Sequence, residues 1–204
     1  MKKLFKTIYN SIPLKREIFS LLKFLNLPES IYKHLYFRGW FTVIIDKETK
    51  FKMFHLGMVE ENQVFWKGLY NGWEKKSISL WMELVKNSNV IFDIGANTGL
   101  YGLVAKSINS SSKIYSFEPL PGVYKFLDKN IQENLLDINS YELGLSNYNG
   151  KAKVYLREGT DFAYSVTVNK KTIFDKKAHE LEIDVMLLDT FIEQNKIAAI
   201  DLIK

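Results

Sequence analysis

Val90 to Gly102, reading Val-Ile-Phe-Asp-Ile-Gly-Ala-Asn-Thr-Gly-Leu-Tyr-Gly, limits what this chain can fold into more than any other stretch. Val90, Ile91 and Phe92 form a short apolar run rich in β-branched residues, the pattern of a strand covered on both faces of a parallel sheet, and Asp93 ends it with a charge. Gly95 and Gly99 then bracket a tight turn, after which Leu100 to Ile108 resumes at helical spacing. The unit is strand, glycine-rich turn, helix, and the turn is where a nucleotide-like ligand meets bare backbone.

Which ligand follows from the charges around the glycines. A dinucleotide fingerprint requires Gly-x-Gly-x-x-Gly, whereas here the spacing is Asp-x-Gly-x-Asn-x-Gly, with an acid two residues before the first glycine. Asp93 would repel a pyrophosphate and attract an ammonium. S-adenosylmethionine carries an α-amino group, a sulfonium and no phosphate. A P-loop is excluded because the Gly-Lys-Ser/Thr ending is missing. A second strand, Lys113 to Phe117, leads to Glu118, nineteen residues after Gly99, with Pro119 holding Glu118 extended. In an open α/β sheet both strands deliver their carboxyl ends to one crevice, so Asp93 and Glu118 are expected side by side, Glu118 placed to accept hydrogen bonds from both ribose hydroxyls. The plainer alternative is that both acids merely end strands at the surface.

Asp93 to Gly99, Phe117-Glu118-Pro119, Asn134, Gly144-Leu145-Ser146-Asn147, Leu188-Asp189-Thr190 and Ile200 to Lys204 together resemble the FkbM-type methyltransferases, a branch of the S-adenosylmethionine-dependent class I group. The resemblance runs from about Glu74 to the last residue. It implies a Rossmann-like α/β sheet in which Asp93, Gly95, Asn97, Gly99 and Glu118 hold S-adenosylmethionine, and methyl transfer to a hydroxyl of a sugar or secondary metabolite. The family pattern continues past the position of Lys204 with Ile-Asp-Val-Glu-Gly, so Lys204 is read as a truncation point, with the sheet's first half and the start of its fourth strand present and the general base unnamed. Ser146, expected where the third strand meets the crevice, is a candidate adenine-side contact, although serine after a strand is usually a turn former.

Two domains are expected, a helical and hairpin extension over 1–73 and the cofactor-binding domain over 74–204. With no cysteine there is neither a disulfide nor a thiolate metal site, and His34, His55 and His179 lack ligand spacing. The net charge of +5 is spread along the chain rather than massed, which argues against nucleic acid as the partner and leaves a small-molecule or glycan acceptor. Residues 1–27 contain neither a secretory signal nor a membrane span, so the cytoplasm is the expected location. Within them Leu14, Ile18, Leu21, Leu22 and Leu25 share one helical face opposite Lys15, Arg16 and Lys23. Such a face more often packs on its own domain than lies on an anionic membrane surface.

Further along, a helix is expected from Pro28 to Tyr36 and a hairpin from Phe41–Ile45 and Phe51–Leu56. Phe65, Trp66, Tyr70 and Trp73 form an aromatic cluster, read as core packing before a sugar-binding wall. Helices are expected over Glu74 to Lys86 and Val123 to Leu135, with the third strand near Ser140 to Leu143. Ala152, Val154 and Leu156 alternate as a half-exposed strand, and Leu181, Ile183 and Val185 form a short one. A brief helix covers Leu188 to Gln194, and Ala198 to Ile203 begins a buried fourth strand. Glu158 to Lys177, largely polar, is either a loop over the site or an exposed excursion. The rival to the enzyme reading is an incomplete fragment that serves only as a binding module.

Overall fold

The apolar run at Val90 becomes the centre of a parallel sheet. In the structure, a computed structural model describing residues 12–72, 74–157 and 178–204, the chain divides into two units, residues 1–76 and 77–204. The sequence reading had put the boundary after residue 73. The first eleven residues, Trp73 and the polar stretch 158–177 lie outside the described residues, and with them what was expected there.

In the first unit, helix α1 (Lys15–Leu22) and the short α2 (Glu29–Tyr32) precede a hairpin of β1 (Gly39–Ile44) and β2 (Lys50–His55), followed by α3 (Val59–Lys67). Asp46 forms the hairpin turn, its Oδ1 accepting the amides of Glu48 and Thr49 at 2.9 and 2.8 Å. The core is aromatic: Phe65 packs edge-on against Phe37 and Phe41, and Trp66 lies tilted against Phe19. Phe65 and Trp66 are therefore core residues, while Tyr70 is half exposed and donates its hydroxyl to Ile45 O. Alpha-helix α2 stops at Tyr32, short of the expected Tyr36. The apolar face expected to pack is turned outward: Leu14, Ile18, Leu21 and Leu25 are exposed, Leu21 by 72%, and α1 instead buries Phe19 on the opposite side. Periodicity locates a helix, but the larger aromatic contact decides which side is covered.

The chain passes to the second unit within α4 (Lys75–Leu84). There β3 (Val90–Ile94), α5 (Leu100–Ile108), β4 (Lys113–Phe117), α6 (Pro121–Glu133), β5 (Ile138–Tyr141) and, much later, β9 (Leu202–Ile203) form a four-stranded sheet ordered β5-β4-β3-β9, all parallel. Strands are added to one side of β3 and then, at β9, to the other, so the order reverses at β3, the place where such sheets open a crevice at their carboxyl ends. Asp201 fixes that last pairing, its Oδ2 accepting the amides of Asn89 and Val90 at 2.7 and 2.9 Å. In this chain β9 is an outer strand of the four, with Ile203 48% exposed.

Between β5 and β9 the chain builds a separate three-stranded sheet, β6 (Gly144–Ser146), β8 (Ala178–Leu187) and β7 (Gly150–Arg157), ordered β6-β8-β7. β8 has ten residues and is not short. Val154 and Leu156 are buried with Ile183 and Val185 against Leu120 and Val123. Helix α7 (Leu188–Gln194) sends Phe191 onto Phe92 and Phe117 on one face of the main sheet.

Candidate functional site

Alternation along β3 and β4 assigns two kinds of side chain to two faces. Phe92 and Phe117 point to the α7 side, while Asp93 and its register partner Ser116 share the other face, onto which α5 packs. Gly102 makes that packing possible: a Cβ there would stand 2.9 Å from Ser116 Oγ and 3.4 Å from Asp93 Oδ2. The helix thus lies directly on a row of polar atoms. Asp93 is fully buried, and its Oδ2 accepts the Gly102 amide at 3.0 Å. Among the described residues, neither Asp93 Oδ1 nor Ser116 Oγ has a hydrogen-bond partner. Burial pushes the Asp93 carboxyl up to about 6, against the opposing pull of Lys204 and the Gly102 amide.

Above this row runs the glycine turn. Gly95, Asn97 and Gly99 have φ of 72°, 52° and 94°, so left-handed residues alternate through the turn. At Gly99 a side chain is barred twice, by its φ and by Leu127 Cδ1, which a Cβ would meet at 2.7 Å. At Gly95 nothing lies within 4 Å of such a Cβ, so open space adjoins the backbone there. The turn is tied to β4: Ala96 donates to Phe117 O at 2.8 Å, and Asn97 N–H to Glu118 Oε2 at 3.0 Å. The other oxygen of Glu118 accepts the Leu120 amide at 3.0 Å. Burial raises the Glu118 carboxyl above its ordinary range; the Leu120 and Asn97 amides and Lys204 oppose that, and Asp93 adds to it.

Five of the six expected site residues, Asp93, Gly95, Asn97, Gly99 and Glu118, are thereby joined at the carboxyl ends of β3 and β4. Ser146 is not joined to them. The third main-sheet strand ends at Tyr141, and Ser146 belongs to β6 of the smaller sheet, its Oγ 3.4 Å from Asn147 Oδ1. Four contributors are not singled out by the sequence. Buried Asn130 on α6 donates to Thr98 O at 2.8 Å and holds the turn from below; an amide set among Leu127 and Ile131 was its only trace. Gly102 and Ser116 were visible as small residues but not as partners. Lys204 faces both acids electrostatically, with its Nζ 4.4 Å from the centre of the Tyr101 ring.

This donor set suits S-adenosylmethionine. Two carboxylates without a phosphate-binding cation in the turn favour a ligand with an ammonium, a sulfonium and a ribose diol, and the open flank of Gly95 admits it against the backbone. The Methyltransferase FkbM domain matches residues 93–204, more than half of the chain. Among solved structures, the chain is similar to P. horikoshii TYW2 in complex with MeSAdo, at 18% identity over 35% of this chain and 33% of that one, TM-score 0.28. It is also similar to a SAM-dependent methyltransferase from Agrobacterium tumefaciens, at 13% identity over 52% and 33%, TM-score 0.34. A putative transferase from Pyrococcus horikoshii matches at 17% identity over 53% and 43%, TM-score 0.33. The chain thus spans a third to somewhat over two fifths of the length of these structures. No curated protein matches it. By the domain that spans its second half, the chain belongs to the FkbM methyltransferase family, whose methyl donor is S-adenosylmethionine.

Proposed function

We propose that the second unit, residues 77–204, is the cofactor side of an O-methyltransferase acting on a hydroxyl of a small molecule, a sugar or secondary metabolite. The observation that carries the reading is Glu118, a buried carboxylate whose two oxygens are pinned by the amides of Asn97 and Leu120 beside the glycine turn. An oxygen so fixed keeps a second lone pair for a ribose hydroxyl and cannot swing away.

When bound, S-adenosylmethionine supplies a methyl group on a sulfonium, which an acceptor oxygen displaces in line as the S–CH3 electron pair returns to sulfur. The protein's part is alignment. Glu118 orients the ribose, the Gly95 to Gly99 backbone lines the cofactor, and Asp93 places negative charge beneath the turn, favouring the amino end. The hydroxyl proton passes to a base or to water. The scattered positive charge supports a small acceptor over a nucleic acid. No described helix is long and apolar enough to cross a membrane, and a cytoplasmic place of action is part of this reading.

Titration calorimetry with S-adenosylhomocysteine tests it. The chain is expected to bind, and Glu118→Ala to weaken binding by about a hundredfold, the loss of charge-assisted hydrogen bonds worth roughly 3 kcal/mol. Equal affinity in parent and variant would refute the ribose role.

A further inference from the structure

The first unit holds a cavity of about 500 Å³ that the methyltransferase reading does not use. It is built from one face of α1 and the outer face of the hairpin. Arg16, Ser20 and Lys23 recur at helical spacing on the side of α1 away from its exposed leucines; Trp40 and Thr42 alternate on β1, and Lys52 stands opposite Thr42 on β2. Phe41 and Phe65, both buried, also line it. Three cations, two hydroxyls and an indole therefore converge, and no carboxylate is among the lining residues. Arg16 is partly neutralised by its neighbour Glu17 and also donates to Trp40 O at 3.4 Å.

Lys23 is the telling member. Its Nζ lies 3.8 Å from the centre of the Phe65 ring, and no described carboxylate forms an ion pair with it. Partial burial lowers its pKa, so water compensates its charge incompletely. Surface lysines normally extend into solvent; this one is drawn back against an aromatic floor, next to two hydroxyls and two further cations. Multiple donors about one concave space suit an oxyanion with several acceptor oxygens, and the half-buried Trp40 offers an apolar face to the ring that carries it.

We propose that this cavity binds a phosphate-bearing small molecule, the phosphate held by Lys23, Lys52 and the hydroxyls of Ser20 and Thr42 and its sugar ring lying on Trp40. The site is independent of the methyl-transfer reading, since its occupancy is measured without the cofactor.

The test is calorimetric titration of the whole chain at low ionic strength with inorganic phosphate, glucose 6-phosphate and glucose. Glucose 6-phosphate is expected to bind more tightly than inorganic phosphate, and glucose not at all. Lys23→Gln is expected to weaken phosphate binding roughly tenfold or more, while Lys47→Gln, in the exposed hairpin turn, changes it less than about twofold. Should Lys23→Gln fail to fold, Lys52→Gln on the exposed strand face carries the same comparison. Absence of binding by the parent, or equal loss in Lys47→Gln, overturns the proposal. So does cosedimentation with phosphatidic acid vesicles without binding of either soluble phosphate, which would make the ligand a lipid surface.

Discussion

In the first unit a buried histidine is closed into a complete set of hydrogen bonds, whereas in the second a buried aspartate is left with an oxygen that nothing reaches. Gly57 N–H donates to His55 Nδ1 at 2.9 Å, so Nε2 carries the proton and donates to Asn62 Oδ1 at 3.1 Å. Asn62 in turn donates to Tyr32 O, Tyr32 hydroxyl to Gln63 Oε1, and Gln63 to Glu29 Oε1. Every polar atom of His55, Asn62 and Gln63 side chains is used, and the result is a scaffold. Asp93, equally buried, has one oxygen on the Gly102 amide and one that no described residue reaches. A buried polar group without a partner is costly, and a chain retains it where a ligand or proton completes the set. The contrast is between a buried group whose hydrogen bonds the fold completes and one that it leaves open.

Acid should drive the two in opposite directions. Burial lowers the His55 pKa to about 4, so between roughly pH 6.5 and 4 the unfolded chain binds the extra proton and stability falls as pH falls, by about 3 kcal/mol in all. Asp93, raised to about 6, binds its proton in the folded state first, so between roughly pH 6 and 3.8 its contribution rises as pH falls, by a similar amount. Hydrogen exchange of β1–β2 and of β3–β4 amides against pH reads the two separately; parallel responses would erase the distinction.

Gly99→Ala is expected to destabilise the second unit by about 2 kcal/mol, because both its left-handed φ and Leu127 oppose a Cβ, and chemical denaturation measures it. Asp93→Asn sharpens the comparison further. Removing a charge that the fold holds uncomfortably should raise the stability of the free protein at pH 7 by about 1 kcal/mol while weakening S-adenosylhomocysteine binding several-fold. Loss of stability with binding intact would make Asp93 scaffold like His55. Ser146→Ala, remote in hydrogen bonding from the turn, should alter that affinity less than about twofold in the same titration.

What the sequence disclosed, it disclosed through backbone constraint. Gly95, Asn97 and Gly99 are residue types chosen by left-handed φ, and Asp93 stands one residue before the end of β3 and Glu118 one residue after the end of β4, so both sets are written locally. Side-chain partnerships across elements were not. Asn130 reaches Thr98 over thirty-two residues, and Gly102 acquires meaning only when Ser116 and Asp93 are beneath it. The exposed stripe of α1 failed for a related reason: Leu14, Ile18, Leu21 and Leu25 announce amphipathicity, but Phe19 found aromatic neighbours that spacing cannot reveal. Ser146 was misplaced because a strand of another sheet begins three residues after the third main strand ends.

The clip that Asp201 makes on Asn89 and Val90 ties the far end of a long detour to the start of β3. The pairing of β9 on β3 is therefore held at its own end of the detour, and each doubling of the path from Tyr141 to Asp201 adds only about 0.6 kcal/mol of closure entropy. Length can therefore be added to the detour at little cost to the pairing that closes β9 onto β3, so that an insertion there leaves the strand and glycine turn beside Asp93 as they are.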